Sequence, residues 1–250
     1  MELEVRNQTT SDYSKHRVRR SSGEVTIDGL YAEKSAGKYM VRVRVTGGWL
    51  SFDQARALAD LADKHATAEW HVDTRENVEL HGVMEADILP LIESLERHGL
   101  TTRGACGDTV RNIVVGAEAR RFANGGPDLY QLADELTARF AGKAEFETLP
   151  RKFKTALFSA DDREPLHRIQ DLAFVEERRN DGAWTFSAWA GGGLGREPRL
   201  ADLLFARVPA MSLGDLMEAL VRVHHDNSDR KNRAHARFKF VAESLGVQRI

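Results

Sequence analysis

The residues best suited to chemistry gather at Leu149-Pro150-Arg151-Lys152-Phe153-Lys154-Thr155. A proline opens the stretch, and basic and aromatic residues then alternate as a β-strand presents them. With a side-chain period of two, Lys152 and Lys154 share one face, while Arg151, Phe153 and Thr155 share the other. Two ammonium groups side by side repel, so their face should look onto water or onto an anion. A solvated edge strand with protective lysines has the same pattern, and the rest of the chain must decide between them.

Three other stretches could serve an anion. Arg103-Gly104-Ala105-Cys106-Gly107-Asp108-Thr109-Val110-Arg111-Asn112 combines glycine with basic residues, a composition that lets backbone approach a ligand or simply turns the chain. Gly191-Gly192-Gly193-Leu194-Gly195 follows an apparent strand, where backbone N–H groups can cradle phosphate or carboxylate. It lacks the G-x-G-x-x-G spacing of a dinucleotide site. Arg230, Arg233 and Arg237 are spaced i, i+3 and i+7, one stripe of a helix running on through Lys239.

The global balance bounds these readings. Lys and Arg number 36 against 38 Asp and Glu, a formal net charge of -2, which argues against a general nucleic-acid binder. Any anion site must come from local clustering. One cysteine, Cys106, excludes an intramolecular disulfide, and a Cys-ligated zinc site or iron–sulfur cluster built by one chain. No residues are expected to ligate a metal. No apolar run suggests a signal peptide or membrane span, so a cytoplasmic location is expected.

The elements that must position these groups follow from patterning. Residues 1–24 are polar and basic and read as a flexible arm. Residues 39–45 alternate valine with Arg42 and Arg44, a strand. Ser51 and Gln54 have capping-box spacing before a helix reaching about His65. Strands are expected at 69–72 and 78–82, joined by the corner Asp73-Thr74-Arg75-Glu76-Asn77, then a helix from Asp87 to His98 and a closing strand near 100–102. Helices on one face of an antiparallel sheet result, an α+β unit. Beyond it, Asp128 caps a helix through Phe140, strands occupy 172–175 and 184–190, and Ser212 caps a helix burying Leu213, Leu216, Leu220 and Val223.

Taken in order, five segments resemble the first half of the siroheme-containing nitrite and sulfite reductases. They are residues 39–48, Thr74-Arg75-Glu76-Asn77 with His81-Gly82, Gly107-Asp108-Thr109-Val110-Arg111-Asn112, Leu149-Pro150-Arg151-Lys152-Phe153-Lys154, and the 191–195 glycines with the basic segment 230–239. The resemblance covers roughly 28–250 and implies a ferredoxin-like half-domain, 25–104, followed by a mixed α/β siroheme-type domain, 105–250. In that family the pair is repeated, siroheme lies between the halves, and the second repeat supplies the cysteines of a 4Fe-4S cluster. By the same resemblance Arg75, Arg111, Lys152 and Lys154 would surround the substrate anion. Arg42, Arg44, Arg103, Asn112, Arg151, Gly192, Gly193, Arg230, Arg233, Arg237 and Lys239 would serve the siroheme.

Siroheme is a polycarboxylate and the substrate a small oxyanion, which gives a reason for cations that would otherwise repel one another. Each reductive step also takes up protons, which ammonium groups can help deliver. The chain ends about where the family's second repeat begins, so the expected enzyme is a siroheme-dependent reductase acting as a subunit, inactive alone. A partner chain carrying the cluster cysteines, or a second copy of this chain, would complete it, with a separate electron-donor protein. Sulfite and nitrite suit the same pocket. Two other readings fit the residues: a non-catalytic tetrapyrrole-binding module, and a tetrapyrrole-biosynthesis enzyme of related fold.

Overall fold

A computed structural model describes residues 15–20, 23–119, 126–246 and 249–250, which fall into two compact units, Met1–Gly107 and Asp108–Ile250. Of the segment expected to be a flexible arm, residues 1–14, 21 and 22 lie outside the described residues. Of the rest, β1 (Lys15–Arg20) pairs antiparallel with β2 (Gly23–Asp28).

The rest of the first unit runs β3 (Leu30–Ala32), β4 (Lys38–Val43), α1 (Phe52–His65), β5 (Trp70–Val72), β6 (Val78–Met84) and α2 (Ile88–Arg97). Its sheet has the order β3-β4-β6-β5, antiparallel throughout. The capping box forms as its spacing predicts: the Gln54 N–H donates to Ser51 Oγ at 3.1 Å and the Ser51 N–H to Gln54 Oε1 at 3.1 Å. Val41, Val43, Val78 and Leu80 pack against Leu58, Leu61, Leu91 and Leu95 of the helices. Period two then places Arg42, Glu79 and His81 on the opposite face. The closing strand near 100–102 reduces to one bridge between Thr101 and Arg44.

The second unit is a mixed sheet of order β11-β10-β9-β8-β7. Its strands are β7 (Val114–Val115), β8 (Thr155–Phe158), β9 (Leu172–Arg178), β10 (Trp184–Ala190) and β11 (Asp202–Val208). The β7–β8 and β8–β9 pairs are parallel, the other two antiparallel. Helices α3 (Leu129–Phe140), α4 (Leu213–Asn227) and α5 (Phe238–Leu245) cover one sheet face. There Leu157, Phe174 and Phe186 meet Leu136, Met217, Leu220 and Phe238. The chain is thus α+β, with an antiparallel half-domain followed by a mixed α/β unit. No helix among the described residues is long and apolar enough to cross a membrane.

Two helix expectations need correction. The buried face of α4 is Leu213, Met217, Leu220, Val221 and His224, with Leu216 and Val223 at its margins. The basic segment 230–239 is not a helix. The Asp229 carboxylate accepts the N–H groups of Lys231 (2.8 Å) and Asn232 (3.0 Å), and Asn232 Oδ1 that of Ala234 (3.2 Å). These local bonds compete with the helical ladder, so only a short 3-10 turn, Arg233–His235, precedes α5.

Both predicted caps can be tested together. Asp128 accepts the N–H groups of Tyr130 and Gln131, whereas the Ser212 side chain makes no capping bond because a 3-10 turn, Ala210–Ser212, leads directly into α4. In urea unfolding, Asp128→Ala should lose about 1 kcal/mol and Ser212→Ala no more than about 0.5 kcal/mol.

Candidate functional site

Parallel strands align their starts, so the residues preceding β7, β8 and β9 meet at one edge of the second unit's sheet. Arg111 and Asn112 lead into β7, Lys152 and Lys154 into β8, and Asp171 into β9. The ladder extends past the formal strands: the Arg111 N–H donates to the Phe153 carbonyl at 2.9 Å and the Phe153 N–H to Thr109 at 3.0 Å. Phe153 is fully buried between His224 and Phe238, which turns its neighbours Lys152 and Lys154 away from the core. The expected long lysine strand is therefore extended chain with a short strand, Thr155–Phe158, at its end.

Two carboxylates hold this edge by the backbone. Asp108 Oδ1 accepts the N–H of Lys152 at 3.2 Å, and Asp171 Oδ2 that of Lys154 at 2.9 Å. Their charges are matched by arginines. Arg151 Nη1 donates to Asp108 Oδ1 at 2.9 Å, and Arg233 to Oδ2. Arg237 Nη2 donates to both oxygens of Asp171 at 2.9 and 2.8 Å. Asp171 has no exposed surface, so this ion pair is held out of water.

The consequence appears at Lys152. Burial, followed by the charges of Arg111, Arg151, Lys154 and Arg237, lowers its pKa from 10.5 to about 8. Every neighbouring charge that shifts it is positive. An amine in that state is stabilised by an arriving anion, and its pKa lies close enough to neutrality for it to give up a proton. Nothing in the sequence marked the group that anchors it from behind. His224 is buried on α4, and burial pushes its imidazole pKa down. Its Nε2 lies 2.7 Å from the Arg151 carbonyl, which only accepts, so Nε2 carries the hydrogen and Nδ1 faces the Ser228 hydroxyl at 2.7 Å.

The remaining candidate residues divide as follows. Arg42 donates to Glu79 Oε1 from Nε (2.9 Å) and Nη2 (2.6 Å), and lies 3.3 Å from Asp73. Arg44 and Arg75 are buried. The Arg75 N–H is held by Asp73 Oδ1 at 2.7 Å, a carboxylate that also binds the Asn77 N–H and organises the corner between β5 and β6. Arg103 is exposed. Gly104, at φ 65°, lies where a Cβ would come within 3.0 Å of Arg44 Nη1, so its close approach is to that guanidinium. In the second unit Arg230 donates to the Thr148 carbonyl at 3.2 Å, and Lys239 Nζ to that of Glu197.

The glycine loop behaves differently from the cradle expected of it. The Gly192 N–H donates to the Gln170 carbonyl at 2.9 Å and the Gly193 N–H to that of Arg199 at 2.8 Å. A Cβ on Gly192 would fall 2.3 Å from the Arg168 carbonyl oxygen. Close backbone packing requires glycine there, and these N–H groups are spent within the fold. Gly193 alone lies beside the basic residues, with Arg237 Nη2 at 3.3 Å from its ideal Cβ position.

Comparisons with known proteins give this geometry a family context. Residues 106–250 match the family model described as the nitrite and sulphite reductase 4Fe-4S domain, and residues 31–98 that of the nitrite/sulfite reductase ferredoxin-like half domain. A sulfite reductase (ferredoxin) of Mycobacterium tuberculosis H37Rv is 31% identical over 229 residues, covering 92% of this chain and 40% of that protein. A ferredoxin–nitrite reductase of Synechococcus elongatus is 34% identical over 222 residues, covering 86% of this chain and 43% of that one. The solved structure of Mycobacterium tuberculosis NirA superposes with a TM-score of 0.80 at 29% identity, over 88% of this chain and 43% of that chain. The chain thus spans about two fifths of the length of these relatives.

Breaking the buried ion pair should be more damaging than loosening the exposed side of the site. Asp171→Ala strands a mostly buried Arg237 and should cost about 3–5 kcal/mol in denaturant unfolding. Asp108→Ala, at a more accessible carboxylate, should cost distinctly less. Equal small losses would show that Asp171 is not the anchor.

Proposed function

Because the chain belongs to the nitrite and sulfite reductase family, we propose that it forms the anion-binding face of a siroheme-dependent reductase acting on sulfite or nitrite. One observation supports this above the others: the lysine edge of the second unit, where Lys152 is surrounded by cations and its pKa is lowered to about 8. An edge strand protected by lysines offers no reason to bury the amine among arginines. A polycarboxylate macrocycle and a small oxyanion do.

The donor set fits siroheme and does not fit an iron–sulfur cluster. Siroheme when bound supplies the redox-active iron at which the oxyanion is reduced. Arg151, Arg233 and Arg237 present guanidinium groups already oriented by Asp108 and Asp171, the geometry that suits carboxylates. Gly193 lets Arg237 and Lys239 approach the backbone of the glycine loop. A 4Fe-4S cluster takes a cysteine thiolate at each iron, and this sequence has Cys106 alone, buried in the first unit. In this proposal a partner chain supplies the cluster.

Arg111, Lys152 and Lys154 would hold the oxyanion. Arg111 stays charged throughout and neutralises it. Lys152 is mostly protonated at pH 7, yet its proton is held more weakly than an ordinary lysine's. It can therefore donate as an oxygen leaves sulfur or nitrogen and regain a proton from solvent. Apolar side chains exposed on and beside β11, an outer strand of its sheet, support a partner surface: Leu203 is 46% and Phe205 48% exposed.

The test is turnover of sulfite and of nitrite, with reduced viologen as donor, by the assembled enzyme at equal siroheme content. Lys152→Met with Lys154→Met keeps much of the stem volume, so siroheme loading and circular dichroism should persist. Turnover should fall on the order of 100-fold or more. Unchanged rates would return both lysines to the role of surface charges.

A further inference from the structure

We propose that His71, Glu79 and His81 form a site for a divalent transition metal of the Zn2+ class on the face of the first unit's sheet opposite its helices. This inference does not depend on the reductase reading. His71 and Glu79 are directly opposed across the antiparallel β5–β6 pair. His81 lies two residues beyond Glu79 and therefore on the same face. One ligand atom from each of the three lies within 4.8 Å of the others.

The hydrogen bonding at His81 makes the case. Its Nδ1 is 2.9 Å from Glu33 Oε1, which also accepts the Gly82 N–H at 3.2 Å. A carboxylate accepts and does not donate, so Nδ1 carries the hydrogen, and in the neutral imidazole Nε2 presents its lone pair. That Nε2 is shielded from solvent and has no hydrogen bond. It faces Glu79 Oε2 at 3.6 Å, beyond hydrogen-bonding distance. With the imidazole neutral, two electron-pair donors face each other, an arrangement that a metal ion between them satisfies as a proton on Nε2 also would.

The spacing suits a metal. With Zn–N and Zn–O bonds of about 2.0–2.2 Å, ligand atoms of a tetrahedral site lie about 3.3 Å apart. Arg42 binds the other Glu79 oxygen and so fixes the carboxylate with Oε2 directed at the histidines. The carboxylate–histidine contact from Glu33 is the outer-shell arrangement that orients a ligating imidazole. His71 is exposed and gives the ion a way in, leaving a position for water. Two imidazoles and one carboxylate select zinc and its neighbours over magnesium or calcium.

The experiment titrates Zn2+ alone into the chelator-stripped full chain against a chromophoric competitor. One ion per chain should bind. His71→Ala and His81→Ala should each weaken binding at least about 10-fold, and Glu33→Gln about 10-fold through loss of the outer-shell bond. His98→Ala, an exposed histidine at the end of α2, should leave binding unchanged. His71 is on the surface, so its variant keeps the fold, and circular dichroism checks this. Absence of stoichiometric Zn2+ binding, or wild-type affinity in His71→Ala, would overturn the site and leave a proton on His81 Nε2 as the cation.

Discussion

Repulsion among like charges is the constraint on which the second unit turns. The charges of Arg111, Arg151, Lys154 and Arg237 all act on Lys152, and in a half-buried place such a group is unstable unless something holds its members. Asp108 and Asp171 do so in an economical way. They bind the backbone N–H groups of Lys152 and Lys154 while their charges are matched by Arg151, Arg233 and Arg237. The backbone that carries Lys152 and Lys154 is held in place by these bonds.

The sheet supplies the alignment that this arrangement needs. Only parallel neighbours start at the same edge, and β7, β8 and β9 are the parallel part of an otherwise antiparallel sheet. Phe153, buried between His224 and Phe238, fixes which way the lysines face. His224 then holds the Arg151 carbonyl from beneath. A neutral imidazole suits this place, because a second buried cation there would add to the repulsion.

What the sequence revealed was local. The Ser51–Gln54 capping box, the Asp128 cap and the alternation around Phe153 each depend on residues a few positions apart, and each is present in the structure. What it concealed was competition and distance. Asp229 and Asn232 divert backbone N–H groups from a helix that the arginine spacing suggested. Asp108 reaches Lys152 across 44 positions and Arg237 reaches Asp171 across 66, separations that no local pattern reveals. The glycine loop looked like an anion cradle because its composition is that of one. Its N–H groups go instead to Gln170 and Arg199, and only the fold could show it.

The central claim is that Lys152 is held ready for an anion by an excess of positive charge. Heteronuclear NMR of labelled lysine side chains, titrated with and without saturating sulfite, tests it most directly. Without sulfite the Lys152 amine should titrate near pH 8. The folded pKa lies below the unfolded one, so its protonation costs stability at low pH and that cost is relieved as pH rises from about 8 toward 10.5. Bound sulfite should raise its pKa, because added negative charge favours the protonated form. A Lys152 titration near 10.5, unmoved by sulfite, would contradict the account.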